Sequence, residues 1–271
     1  MAEYGLNDKG EDVLKLQRYL NEVLHLDMKA DGSLGKVTQF AIKELQNKLG
    51  IVENNEDGPC YGPVTQDKIL AIINKKYLNE NDFIKASNKL QIETNVIKTV
   101  TTVEALQFGF YNNGLPVMLF ERHHFYKQLC AAKGVDFANK AAIDFPDICN
   151  PSPGGYQGGK HELDRLDRAK SIDETSALLS ASYGLFQIMG FNYAQAGYKS
   201  VKEYYEAICI SEQNQLDAFV NYLMLDKTKS LLNSLKKKDF TAFAKEYNGP
   251  AYAKNNYDTK MMKAYQSLSS K

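Results

Sequence analysis

The phrase D-G-x-x-G-x-x-T occurs twice near the amino end: as "DGSLGKVT" over Asp31–Thr38 and, one residue longer, as "DGPCYGPVT" over Asp57–Thr65. Each copy lies between stretches whose apolar residues recur every three or four positions. Val13, Leu16, Leu20 and Leu24 precede the first copy. Val37, Ala41, Leu45 and Leu49, stopped by Gly50, run between the copies, and Ile69, Ile72 and Ile73 follow the second. That spacing predicts amphipathic helices. The phrase itself predicts a tight turn feeding a helix: Asp bonds the turn backbone, Gly takes positive φ, and Thr sits in the first helical turn. Asp8 and Glu11 stand where a cap and its return partner belong. A chain written this way is held to three short helices joined by two tight turns.

Residues 8 to 75 thereby resemble the type 1 peptidoglycan-binding domain, a three-helix module attached to many wall-degrading enzymes. The resemblance implies a groove near the two turns that contacts glycan or stem peptide, with Asp31, Asp57 and Tyr61 as contacts. Turn geometry alone also accounts for both aspartates. The domain boundaries expected are 1–75 for this module, 76–82 for a polar, aperiodic linker ("KYLNEND"), and 83–271 for the rest.

With 271 residues the chain has room for two domains, and 44% apolar residues suffice for a core in each. Lys plus Arg is 33 and Asp plus Glu is 33, a formal charge of zero with no basic block, which disfavours a nucleic-acid partner. A neutral or mixed polymer would instead be recognised by shape, hydrogen bonds and the faces of 17 Tyr and 13 Phe. No apolar run approaches the ~20 residues of a membrane span, and "MAEYGLNDKGEDVLK" has no apolar signal region. Cys60, Cys130, Cys149 and Cys209 are far apart with no C-x-x-C pair. They read as thiols buried in a protein made in a reducing compartment, not as zinc ligands.

Beyond the linker, "VIKTVTTVEALQFGF" places one acid, Glu104, among Val100, Val103, Leu106, Phe108 and Phe110. Burying an unpaired carboxylate is costly, so the acid either faces water or is used. Residues 93–103 favour strand by propensity, yet Ile92, Val96, Val100 and Val103 also fit a helical stripe. Asn112-Asn113-Gly114, between aromatic and aliphatic runs, signals a β-hairpin. "SIDETSALLSASYGLFQIMGFN" opens on a capping box of Ser171 and Glu174, and "PSPGGYQGGKHE" is a glycine-rich loop around Tyr156.

An acid after an apolar helix, then Gly184-Leu185-Phe186-Gln187-Ile188, then Tyr247-Asn248-Gly249-Pro250, resembles the lysozyme-like superfamily of lytic transglycosylases and goose-type lysozymes. "TVE", "GxPxxLFERHxF", "GGY", "SxSYGLFQIMGFN", "SEQxQLDAFVNY" and "YNGPxYAxNxYDTK" together resemble the N-acetylmuramidase family of bacteriophage endolysins, over residues 83 to 268. The resemblance implies a mainly α fold: a three-helix module plus a lysozyme-like α+β catalytic domain with a small β-hairpin. It makes residues 93–103 the helix that delivers Glu104, and Glu104 the catalytic acid. The family commonly carries Ser directly after this acid, where this chain has Ala105. A hydroxyl that orients the carboxylate is absent, which bears on efficiency more than on reaction class.

Cleavage of the β-1,4 bond from N-acetylmuramic acid to N-acetylglucosamine needs a proton on the leaving oxygen. A solvated Glu is ionised at neutral pH, whereas Val100, Val103 and Leu106 are the surroundings that keep it protonated. A second carboxylate at about 5–5.5 Å would act as nucleophile, and at about 6.5–9.5 Å it would activate water. Glu121 is the first candidate, against an ion pair with Arg122 or another cation; Asp136, Asp144 and Asp147 are weaker ones. Gln187, Tyr247, Asn248 and Tyr156 are the substrate-binding candidates, with turn and core roles as the alternative. His123 and His124 lack the H-E-x-x-H spacing, His25 and His161 read as surface residues, and no metal or cofactor is expected. Lys236-Lys237-Lys238 reads as a solvated turn before a helix capped by Asp239.

The function expected is that of a monomeric endolysin acting on peptidoglycan glycan strands. It would be made in the host cytoplasm and released by a separate membrane-permeabilising protein. The alternatives are a lytic transglycosylase using the same Glu104, and a non-catalytic wall-binding or virion structural protein.

Overall fold

The structure, a computed structural model, describes residues 3–104, 109–111 and 114–270, apart from the side chains of Asn74, Glu104, Pro250 and Ala251. The chain divides into two compact units, Met1–Tyr77 with Phe110–Leu115, and Leu78–Gly109 with Pro116–Lys271.

The first unit holds three helices, α1 (Glu11–Leu24), α2 (Lys36–Leu49) and α3 (Pro63–Lys76), and a two-stranded antiparallel ladder of β1 (Asn54–Asn55) and β2 (Gly58–Pro59). Val13, Leu16, Leu20, Ala41, Ile42, Leu45, Ile69 and Ile73 close its core. Val37, expected on the inner stripe of α2, is 69% exposed, and Ile42 takes the core position instead. The turn glycines Gly32 and Gly58 have φ of 73° and 106°, the left-handed region that favours glycine. Asp31 Oδ1 accepts the Ser33 N–H at 3.0 Å, as the phrase predicts. In the second copy Asn55 does this work, its Oδ1 accepting the Asp57 N–H at 3.0 Å. Asp8 does not cap α1. Residues 8 and 10 pair by their backbones with Leu34 and Gly32, so Gly10 is the N-cap, and the Asp8 carboxylate turns back to the Gly5 N–H at 2.7 Å.

Two buried glutamines tie the turns to the helices before them. Gln17 Nε2 donates to Asp31 Oδ1, the Ser33 carbonyl and Thr38 Oγ1 at 3.0–3.1 Å, and its Oε1 accepts the Gly32 N–H at 2.7 Å. Gln46 Nε2 donates to the carbonyls of Glu53 and Cys60 at 2.8 and 3.0 Å and to Thr65 Oγ1 at 3.2 Å. The repeat is therefore Gln to Thr across each turn, with the Thr buried behind it. Gln46→Ala leaves buried acceptors without their donor and is expected to cost about 1–3 kcal/mol. Thermal melting of the full chain checks this; an unchanged transition would mean that the amide carries no net stability.

The second unit begins with α4 (Glu80–Leu90), where Asn79 and Asp82 form a reciprocal capping box. Only Tyr77, Leu78 and Asn79 lie between α3 and α4, so most of the expected linker is helix end. Residues 94–104 form α5 (Thr94–Glu104), against strand propensity. Val96, Ile97, Val100 and Val103 are buried, and α5 packs on the last helix. The hydroxyls of Thr99, Thr101 and Thr102 bond the carbonyls four residues back, at 2.7, 3.0 and 2.8 Å. Burial of the apolar stripe overrides the β-branched preference, and the back-bonds satisfy the threonine hydroxyls within the helix.

A three-stranded antiparallel sheet follows, ordered β3 (Met118–Phe120), β4 (Ala181–Tyr183), β5 (Ile188–Met189). Between β3 and β4 run α6 (Arg122–Lys133), α7 (Val135–Asp144), α8 (His161–Lys170) and α9 (Glu174–Leu179). After β5 come α10 (Val201–Ile208), α11 (Glu212–Leu225), α12 (Ser230–Lys236), α13 (Phe240–Tyr247) and α14 (Tyr257–Ser269). The register pairs Leu119 with Ser182 and Tyr183 with Ile188. The sheet's hairpin is thus β4–β5, turning at Gly184–Gln187. Of the hairpin expected at Asn112–Gly114, Asn112 and Asn113 lie outside the described residues. Around them the Tyr111 N–H bonds the Leu115 carbonyl at 2.8 Å, while β3 pairs with β4. Asp173, not Ser171, caps α9, accepting the Ser176 N–H at 2.8 Å. The Ser171 hydroxyl instead donates to the Arg168 carbonyl at the end of α8. Asp239 caps α13 as expected. No described helix is long and apolar enough to cross a membrane.

Candidate active site

Glu104 is the final residue of α5; its side chain and residues 105–108 lie outside the described part. The chain is described again at Gly109. There the backbone forms a row: the Val117 N–H donates to the Gly109 carbonyl at 3.0 Å, and the Gly184 N–H to the Val117 carbonyl at 2.7 Å. The row leads from the segment after Glu104 to the β4–β5 turn.

Two of the expected substrate-binding side chains are fastened to that turn. Gln187 has φ of 48°, and its side chain folds back over the hairpin. Its Oε1 accepts the Ser182 hydroxyl at 2.8 Å, and its Nε2 donates to the Gly184 carbonyl at 2.8 Å. The Tyr247 hydroxyl donates to the Phe186 carbonyl at 2.7 Å. Its ring stacks on Phe243 and meets Phe219 edge-on, while Phe186 stacks on Phe219 at 4.3 Å. Asn248 follows directly as the C-cap of α13.

A second cluster forms at the other end of the sheet. Glu121, fixed by its N–H to the Ser180 carbonyl at 2.9 Å, accepts the Tyr156 hydroxyl at 2.8 Å on Oε2. Burial and this carboxylate push the Tyr156 phenol up to about 12, although the residue is 49% exposed. His123 Nδ1 lies 3.2 Å from the same carboxylate oxygen, outside hydrogen-bonding geometry. The His123 ring packs on His124, which packs on Phe191. Burial, His123 and Lys127 lower the His124 imidazole to about 4, so it is neutral at neutral pH. Arg122 does not pair with Glu121. Its guanidinium donates to the carbonyls of Ser152, Pro146 and Pro153, at 3.0, 3.2 and 3.0 Å, and so holds the glycine-rich loop.

That loop is also anchored from below. Glu162 and Arg165, each 1% exposed, pair at 2.6 Å. Glu162 Oε1 accepts the N–H groups of Gln157 and Gly158 at 2.6 and 3.0 Å. Arg165 donates to the carbonyls of Phe120 and Asp147 at 3.0 and 2.7 Å. Burial opposes ionisation of Glu162, but the Gly158 and Gln157 amides and Arg165 outweigh it and hold the carboxyl below its ordinary range. Of the weaker acid candidates, Asp144 pairs with Lys140 at 3.1 Å and Asp147 with Arg168, while Asp136 stays exposed in the first turn of α7. Sequence reasoning did not single out Ser182, Glu162, Arg165, Glu212 or Gln215.

In the first unit, Asp31 borders a shallow groove of about 550 Å³ lined also by Lys9, Gly10, Glu11, Leu14, Gly32 and Ser33. Bonds from the Gln17 amide and the Ser33 N–H lower its carboxyl. Asp57 is exposed, whereas Tyr61 is 6% exposed and its ring belongs to the module core.

Residues 93–269 match the N-acetylmuramidase family. The chain belongs to that family. Residues 9–54 of this muramidase match the peptidoglycan binding domain family. The muramidase is therefore a glycoside hydrolase that cleaves peptidoglycan and carries an amino-terminal wall-binding domain. Among solved structures it is similar to the crystal structure of the Burkholderia AP3 phage endolysin, with 35% identity, a TM-score of 0.68 and 100% of each chain covered. No curated protein matches it.

Proposed function

We propose that this muramidase is a phage endolysin that cleaves the β-1,4 bond between N-acetylmuramic acid and N-acetylglucosamine, with Glu104 as general acid. The observation that carries the reading is helix α5. Its buried stripe of Val96, Ile97, Val100 and Val103 runs to a helix end occupied by Glu104. An acid at the end of an apolar element is disposed to keep its proton, which is what protonation of the leaving oxygen requires. Glu121 is the second carboxylate in this reading. Its Tyr156 hydrogen bond orients it, and Arg122, which would have neutralised it, is occupied elsewhere. Gln187 and Tyr247 shape the β4–β5 turn as a wall of the cleft, with Asn248 beside them and Tyr156 as a half-exposed face for a sugar ring. Residues 1–75 hold the wall through Asp31, Asp57 and the groove beside Asp31, with Tyr61 contributing through the core behind it. Residues 76–82 connect to a catalytic domain of residues 83–271. The enzyme acts as a monomer, is made in the host cytoplasm, and reaches the wall after a separate protein permeabilises the membrane.

Mass spectrometry of digested, purified peptidoglycan tests the reaction. The expected fragments end in reducing N-acetylmuramic acid. Anhydro-muramic ends would replace hydrolysis by lytic transglycosylation, and reducing N-acetylglucosamine ends would move the cut to the other bond. Glu121→Gln is expected to lower the rate roughly 10²-fold or more if Glu121 serves as base or nucleophile. Unchanged turnover with muramic reducing ends would remove Glu121 from the chemistry.

A further inference from the structure

Helix α11 opens with "SEQNQ", and Ser211 caps it by accepting the Asn214 N–H at 3.2 Å. Glu212 and Gln215, three residues apart, therefore share a face. Both are buried, at 5% and 2% exposure. Their polar atoms converge on Gly109. Glu212 Oε1 accepts the Gly109 N–H at 2.6 Å, and Gln215 Nε2 donates to the Gly109 carbonyl at 3.3 Å. The same side chains also reach Leu78, Leu185 and Ile208, the last through Gln215 Nε2 to its carbonyl at 3.1 Å. Glu212 Oε2 accepts the Leu78 N–H at 3.1 Å, and Gln215 Oε1 accepts the Leu185 N–H in the β4–β5 turn at 2.8 Å. Both glycines press on the Gln215 amide. A Cβ at Gly109 would lie 2.2 Å from Gln215 Oε1, and one at Gly184 would lie 2.6 Å from the same side chain.

We propose that Glu212 and Gln215 are positioning residues of the glycosidase, because together they hold both backbone polar groups of Gly109 and lock that point to the turn carrying Gln187. The proposal rests on the assignment of Glu104 as the acid. Only four residues, 105–108, join Glu104 to Gly109. Helix α5 fixes where that segment starts, and the clamp on Gly109 fixes where it ends. The same amide fixes Leu185, so Gly109 and the β4–β5 turn are registered against one side chain. A displacement of about 1 Å in a catalytic group can cost 10²-fold in rate, which is why a site of this kind gains from a buried two-residue clamp. No step of the reaction passes through either side chain.

Two variants of the full chain test this with different perturbations. Glu212→Gln keeps the volume but supplies one carbonyl acceptor where two N–H groups need one each. Gly109→Ala keeps both α11 side chains and forces the backbone off Gln215. Turnover on solubilised glycan strands, the pH–rate profile, circular-dichroism melting and wall pelleting are measured for each. Both variants are expected to melt cooperatively above the assay temperature and to pellet with wall. Their kcat should fall roughly 10–100-fold with KM within about twofold, the signature of an interaction realised in the transition state, and the alkaline limb of the pH profile should move. Folded variants with parental kcat and an unmoved profile would reduce the clamp to a structural contact and overturn the proposal. Glu104→Gln run in parallel separates the two claims. Full activity there sinks the acid and the clamp's role with it, whereas an inactive Glu104→Gln beside unimpaired clamp variants sinks the clamp alone.

Discussion

Glu104→Gln is expected to cleave peptidoglycan about 10²–10⁴-fold more slowly than the parent, the usual contribution of general acid catalysis. The amide preserves the size of the side chain and carries no transferable proton. Residues outside the bond-breaking step should be untouched. The melting transition should stay within the range of neutral substitutions, and pelleting with purified wall should survive because the binding module is a separate compact unit. The comparison of rate with pelleting matters most. Loss of both would point to a damaged fold, and loss of the rate alone to a missing acid. Normal turnover in this variant would remove Glu104 from the chemistry, whatever the family relationship implies.

The second large effect concerns stability. Arg165→Met breaks the buried pair with Glu162, and leaving one buried charge uncompensated costs about 3–5 kcal/mol. The carbonyls of Phe120 and Asp147 lose their donor as well. At about 2–4 °C per kcal/mol for a unit of this size, the melting temperature should fall by roughly 6–20 °C. A double replacement, Glu162→Gln with Arg165→Met, should recover part of the loss because the stranded carboxylate is gone. The pH dependence has a definite sign. The folded Glu162 carboxyl is held below its ordinary range. Its stabilising contribution is therefore complete above the unfolded value of about 4.3 and is lost as pH falls through the lower folded value. The gap between parent and Arg165→Met should be wide at neutral pH and narrow in acid. A gap that stays constant to pH 3, or a melting temperature unaffected at pH 7, would contradict this account of the pair.

With Glu121 as the proposed second carboxylate, the second effect reaches function through the glycine-rich loop. Glu162 holds the amides of Gln157 and Gly158 next to Tyr156, and Tyr156 in turn bonds Glu121. A loop freed from Glu162 should loosen Glu121 before the domain unfolds.

Much of this was legible in the sequence where side-chain type dictates backbone shape. The two D-G turns, the three helices around them and the cap of α13 follow from residues whose chemistry is local. What escaped depends on partners distant in sequence. Gln17 and Gln46 were not singled out, because periodicity cannot tell an exposed amide from one bonded across a turn. Val37 fits the apolar stripe and is nevertheless exposed, with Ile42 one residue round the helix taking the core. Residues 94–103 look like strand by propensity and like helix by their apolar stripe, and burial of that stripe decides for helix. Asn112–Gly114 carries a hairpin signal, and the described residues beside it pair accordingly, the Tyr111 N–H on the Leu115 carbonyl and the Val117 N–H on the Gly109 carbonyl. The turn at Gly184–Gln187 was not read, since a left-handed Gln187 carries no compositional mark and the turn is held by Ser182, Val117 and Tyr247. Glu212 looks like an ordinary acid in the first turn of a helix. Its use appears only when Gly109, more than a hundred residues earlier, is brought against it.

As the proposed acid, Glu104 must carry a proton at the pH where the enzyme works, and titration of that one carboxyl shows whether it does. With glutamate labelled at the carboxyl carbon and Glu104→Gln used for assignment, NMR follows the group across pH. The midpoint should lie clearly above the ordinary value of about 4.3, coincident with the alkaline limb of kcat against pH. A Glu104 carboxyl that ionises at the ordinary value while the enzyme cleaves glycan strands at full rate near neutrality would contradict the assignment.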